Sequence, residues 1–131
     1  MTGIDTNVLV RYLTRDEPDQ YTRAKTFLTS RCTPEDPGFL HPIVLCELVW
    51  VLKAAYKYSR EEIAMVLEKL LQTRQIVIGD RDAVRAALAS YRRSSADFAD
   101  CLIGRLSSEA GCKKTVTFDE QAAELDGFQP I

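Results

Sequence analysis

The sequence predicts an α/β fold, a three-layer α/β/α sandwich around a mostly parallel sheet of four or five strands with the first strand central. Three observations predict it. Short β-like runs alternate with longer stretches of helical periodicity, the pattern of helices covering a parallel sheet. Caps and turn residues, among them Pro18, Pro42, Ser59 and Gly111, punctuate those stretches where helices begin and end. The chain has 131 residues, enough for one core and one domain over 1–131, and too few for two.

Met1 to Asp5 reads as a very short first strand that runs into a helix, Val8 to Leu13. Pro18 suits the first turn of a second helix ending near Thr29. Residues 31–38, with Pro34, Pro37 and Gly38, form a loop before a short strand at Phe39 and Leu40. Pro42 opens a third, strongly apolar helix that ends near Tyr56. Ser59 and Glu62 have the spacing of a capping box, in which each side chain bonds the other's backbone N–H, and they start a helix over 60–72. Ile76 to Ile78 is a buried strand, and a helix follows from Asp80 through Tyr91. Ser94 or Ser95 caps a helix from Asp97 to Ala110, stopped by Gly111. Thr115 to Phe118 is a strand, Asp119 or Glu120 to Leu125 a short helix, and Phe128 to Ile131 an edge strand.

Composition removes several classes of function. Hydrophobic residues make up 46% and charged residues 27%, ordinary for a soluble globular protein. The formal charge is −2, so any nucleic acid must be held by local patches and not by a global basic field. The apolar run Ile43 to Leu52 contains Glu47 and is too short to span a bilayer. The N-terminus shows no basic stretch or cleavage site of a secretory signal. Cys32, Cys46, Cys101 and Cys112 have no zinc-like spacing with the lone His41. On one helix Cys101 and Cys112 would stand roughly 16 Å apart at about 1.5 Å per residue, beyond disulfide reach. Free thiols fit a reducing cytoplasmic setting.

Acids in apolar or strand-end positions are the chemically informative feature. Asp5 follows the first strand and Asp119 follows the strand at 115–118; each either caps the next helix or serves a ligand at the carboxyl ends of the strands. Glu47 interrupts an apolar helix and is expected to be buried, either paired with Arg11, Lys53 or Arg105 or bound to a cation. Asp97 and Asp100 are three apart and share one helix face, with Asp97 also able to complete a cap. Gly104 leaves space beside Asp100 or serves packing. Carboxylates without neighbouring His, Cys or Lys are the ligand set of hard divalent cations, which activate water and stabilise a leaving oxygen in phosphoryl displacement. Thr6, Asn7 and Thr117 are placed to orient waters or ligands around them. Among the scattered basic residues, Arg11 and Arg105 are best placed to meet phosphates near the pocket. His41 reads as a loop or cap residue, and Trp50 and Tyr56 as core or dimer interface in preference to base-stacking platforms.

The motifs together resemble the PIN-domain family, and within it the VapC-type toxins. Gly3-Ile4-Asp5-Thr6-Asn7-Val8-Leu9 resembles the first family motif and Leu45-Cys46-Glu47-Leu48 the second. Ala96 to Gly104, with Asp97 and Asp100, resembles the third, and Thr117-Phe118-Asp119 the fourth. The family often has Ala where this chain has Cys101. The resemblance implies a PIN-like fold and a metal-dependent endoribonuclease. Asp5, Glu47 and Asp100 would be its core metal-binding acids, Asp119 would complete the pocket, and Asp97 would be an auxiliary acid. Which of Asp97 and Asp100 meets metal more directly stays open. It also implies Mg²⁺ or Mn²⁺, an RNA substrate, a cognate antitoxin and a homodimer.

Two rival readings use other chemistry. A dehalogenase-like phosphatase needs a second Asp where Asn7 stands, and a response-regulator receiver needs paired acids after its first strand. A non-catalytic RNA-binding module on the same fold would leave the acids unexplained, because carboxylates repel phosphate unless a metal screens them.

Overall fold

The computed structural model describes residues 1–131, which divide into two compact units, Met1–Arg81 and Asp82–Ile131. In the first unit β1 (Thr2–Gly3), β2 (Gly38–Leu40) and β3 (Ile76–Ile78) form one ladder in the order β1-β2-β3. Both pairings are parallel, with Thr2 opposite Gly38 and Gly38 opposite Ile76. β1, expected at the centre, stands at one end of this ladder, and β2 takes the middle. The strand is only two residues long because Asp5 begins capping a helix almost at once.

Four helices connect the three strands: α1 (Thr6–Thr14) and α2 (Pro18–Thr26) between β1 and β2, and α3 (Pro42–Ala54) and α4 (Arg60–Gln72) between β2 and β3. Their starts are specified locally. Pro18 sits in the first turn of α2, and the Glu17 carboxylate accepts the Gln20 N–H at 2.7 Å. His41 caps α3 through Nδ1, which accepts the Ile43 N–H at 3.1 Å. Ser59 and Glu62 close both bonds of the predicted capping box on α4. The segment expected as the end of α2 is a π-helical turn, Phe27–Arg31, closed by the Cys32 N–H on the Phe27 carbonyl. Leu45, Leu48 and Leu52 of α3 and Ile63, Leu67 and Leu71 of α4 recur at three- and four-residue intervals, and all are fully buried.

The second unit follows the first residue of α5 (Arg81–Arg93) and contains α6 (Phe98–Glu109), β4 (Thr115–Thr117) and β5 (Phe128–Pro130). β4 and β5 pair in parallel, Thr115 opposite Phe128. Tyr91 and Phe98 meet edge to face, with ring centroids 6.2 Å apart. Gly111, at φ 100°, ends α6 in the left-handed conformation that glycine adopts without a Cβ clash. The helix expected after Asp119 is a single 3₁₀ turn, Ala122–Glu124. The five expected strands are all present, every pairing is parallel, and they lie in ladders of three and two. No helix is long and apolar enough to cross a membrane. The four cysteines are free thiols.

Gly104 has a packing role: a Cβ there would overlap the Phe128 ring, so β5 closes onto α6 through the missing side chain. Gly3 offers the contrast, since a Cβ on it meets nothing within 4 Å. Gly104→Val is therefore expected to destabilise the chain by about 1–3 kcal/mol, the usual cost of overpacking. Gly3→Ala should stay within about 0.5 kcal/mol of wild type. Urea unfolding of both variants checks this; equal stabilities would remove the packing role of Gly104.

Candidate active site

Asp5 lies two residues beyond β1, at the carboxyl end of a parallel strand, and forms the N-cap of α1. Its Oδ1 accepts the Thr6 N–H at 2.7 Å. The Thr6 side chain is buried and donates through Oγ1 to Glu47 Oε1 at 2.9 Å. One threonine thus ties the carboxylate on α3 to the start of α1. Asp5, Thr6, Glu47, Arg11, Trp50 and Tyr56 line one open pocket of about 720 Å³. Asn7, also on its wall, is exposed and shares with Asp5 and Arg11 the rim of a neighbouring pocket of about 630 Å³ that includes Arg23.

Glu47 corrects an expectation. It is exposed, and no buried ion pair forms around it: Arg11 pairs with Asp16 at 3.2 Å, and Arg105 pairs with Glu109 at 2.8 Å. α3 is apolar on nearly every side, but only the face of Leu45, Leu48, Val49 and Leu52 is buried. Ile43 and Trp50 share the exposed face with Glu47, so an unbroken apolar run overstated burial. Trp50, expected in the core or a dimer interface, is 69% exposed and so lies outside the core.

In the second unit Asp119 repeats the placement of Asp5, two residues beyond β4. Its Oδ1 accepts the N–H groups of Gln121 and Ala122 at 2.9 and 2.8 Å. Thr117 Oγ1 accepts the Asp119 N–H at 3.0 Å and so fixes the turn from which this carboxylate projects. Asp97 occupies the N-cap position of α6 but makes no side-chain cap bond, and Asp100 stands half-buried in the first turn. Burial, then the charges of Asp119 and Asp97, raise the Asp100 carboxyl above its ordinary value of 3.8. Two acids, Asp119 and Asp97, thus act electrostatically on Asp100 in this unit. Arg105 lines a separate pocket of about 380 Å³ with Arg93, Ser90 and Phe128, which includes none of those three acids.

Carboxylates with one oxygen committed to a cap and the other open are a fitting donor set for a hard cation. No three of the chain's Asp, Glu, His or Cys side chains are yet arranged to hold one. Sequence reasoning missed two placements in this pocket. Thr6 holds Glu47, a long-range bond across 41 residues that no local signal reveals. Trp50 shares the Glu47 pocket, and its spacing of three residues from Glu47 could have signalled this.

The PIN domain's sequence model matches residues 4–127, across both units. A VapC ribonuclease of Aquifex aeolicus (strain VF5) is 28% identical over 131 residues, covering 100% of this chain and 96% of that protein. The four motifs in order, the strand-end acids and a match over almost the whole length lead to one conclusion: this chain belongs to the PIN-domain family.

Proposed function

We propose that this chain, as a single nuclease domain over 1–131, is the ribonuclease toxin of a toxin–antitoxin pair of the VapC type. It cuts RNA phosphodiester bonds with Mg²⁺ or Mn²⁺ and works in the cytoplasm. The observation that carries this reading is the repeated strand-end carboxylate. Asp5 and Asp119 each follow a parallel strand by two residues, and each spends one oxygen on capping and leaves the other open. Asp5, Glu47, Asp100 and Asp119 are the proposed catalytic acids and metal ligands, with Asp97 auxiliary. A divalent cation would supply Lewis-acid charge at the phosphate and a more acidic water.

The chain's own residues do the positioning. Thr6 keeps one Glu47 oxygen engaged and so limits the rotamers of that side chain. Thr117 sets the turn that carries Asp119, and Asn7 presents its amide to the pocket for a water or a phosphate oxygen. Arg11 is the proposed phosphate contact of this pocket, and Arg105, in the second unit, is a second proposed phosphate contact. A cognate antitoxin and a second copy of the chain are the proposed protein partners. Exposed Met65, Ile103 and Val116 offer apolar surface for such contacts.

Purified chain incubated with RNA is expected to cleave with Mg²⁺ or Mn²⁺ and to stop on chelation. Asp5→Asn, which keeps the cap, should fold normally and lose cleavage. Equal cleavage by wild type and by Asp5→Asn and Asp100→Asn would make the metal-nuclease reading wrong. Thr6→Val leaves every carboxylate in place but removes the bond to Glu47, and should lower metal affinity or activity by about 10- to 100-fold. Retention of both at wild-type level would strip Thr6 of its role.

Asp100 gives a pH prediction. Its folded-state pKa is raised, so its ionised form weakens the fold at neutral pH. As pH falls through the raised value the group takes up a proton and the penalty disappears; below about 3.8 it is protonated folded and unfolded alike. Asp100→Asn is therefore expected to raise the melting temperature at pH 7 in chelator, with the gain shrinking toward zero as pH falls through that range. A gain that grows on acidification would contradict the sign.

A further inference from the structure

Trp50 has no task in that chemistry, yet it is the chain's one tryptophan and is 69% exposed. It stands three residues after Glu47, hence on the same face of α3, and lines the pocket that holds Asp5 and Glu47. The opposite features of a nucleotide site are present in the same walls. The Tyr56 ring lines the pocket, with its hydroxyl donating to Asp16 Oδ2 at 2.5 Å. Arg11 is held there by Nε to Gln20 at 2.7 Å and by Nη1 to Asp16, so its guanidinium is a fixed charge. The volume of about 720 Å³ falls within the range of roughly 300–1,000 Å³ usual for ligand pockets.

We propose that Trp50 is a stacking platform for one RNA base beside the phosphate served by Asp5 and Glu47, with Arg11 contacting an adjoining phosphate. The inference rests on the ribonuclease reading and adds a residue that positions substrate. An aromatic face exposed beside a guanidinium suits an unpaired base joined to phosphates, because every base has a π-face to stack. A docked helix or a second copy would want a continuous apolar face. Here Glu47 separates Trp50 from Ile43 along α3, and the polar side chains of Asp5, Asn7 and Arg11 line the same pocket as the indole.

Because Trp50 is the sole tryptophan, its fluorescence reports on this pocket directly. Titration with a short single-stranded oligoadenylate in chelator is expected to quench it saturably, and a blunt duplex of equal length is not. Trp50→Ala should bind the labelled oligonucleotide roughly 5- to 100-fold more weakly, and Trp50→Phe should recover most of the loss. In cleavage assays the Trp50→Ala defect should fall mainly on KM. Saturable binding without quenching, or unchanged affinity in Trp50→Ala, overturns the platform. So does fluorescence that follows protein concentration alone while Trp50→Ala becomes monomeric and keeps its RNA affinity, since the face then joins copies. Wild-type chain that quenches but cleaves nothing with either metal removes the ribonuclease reading and leaves the platform. Wild-type cleavage with an unaltered KM in Trp50→Ala removes the platform and leaves the ribonuclease.

Discussion

A parallel strand cannot be joined to its neighbour by a tight turn; the chain must travel back along the sheet before it pairs again. Every strand pairing in this protein is parallel, and each of β1 to β4 hands over to a helix or turn at its carboxyl end. That handover is where the backbone N–H groups of a new turn need an acceptor. Aspartate fills the position after β1 and again after β4. The constraint that organises the sheet thus also delivers carboxylates to the ends of strands, where open α/β proteins bind ligands.

Capping does not use up the carboxylates of these residues. A carboxylate has two oxygens, and Asp5 and Asp119 each use Oδ1 on backbone N–H groups. The bond to the backbone restrains the side chain, so the second oxygen is held in place without being consumed. Asp100 differs, because its environment opposes the negative charge through burial and through two neighbouring acids. Such opposition is common where a site is shaped for an ion that is not itself part of the chain.

α3 shows how one helix can serve the core and a pocket at once. Its buried side supplies Leu45, Leu48 and Leu52, while its other side turns Glu47 and Trp50 outward. Thr6, buried at the start of α1, reaches across to Glu47 and couples the two faces. The apolar character of the exposed side is what made the helix look wholly internal, and it is also what gives the pocket its aromatic wall.

Much of this was legible in the order of residues alone. Capping box, helix-opening prolines, terminating Gly111 and the β-rich triplets at 76–78 and 115–117 are local signals, because each acts through bonds within a few residues. The acids Asp5, Glu47, Asp97, Asp100 and Asp119 were legible for the same reason, as charges out of place in apolar or strand-end contexts. Burial was not. Which face of α3 meets the core depends on the helices and strands packed against it, so the exposure of Glu47 and Trp50 could be read only once those contacts were known. Gly104 was undecided because its neighbour, Phe128, is distant in sequence and meets it only once β5 has paired with β4. The sequence by itself determined most of the elements and the acids of the candidate site, since both reside in single residues and short spacings. Tertiary structure alone decided exposure and partnership, since both are properties of surfaces that form only when distant segments meet.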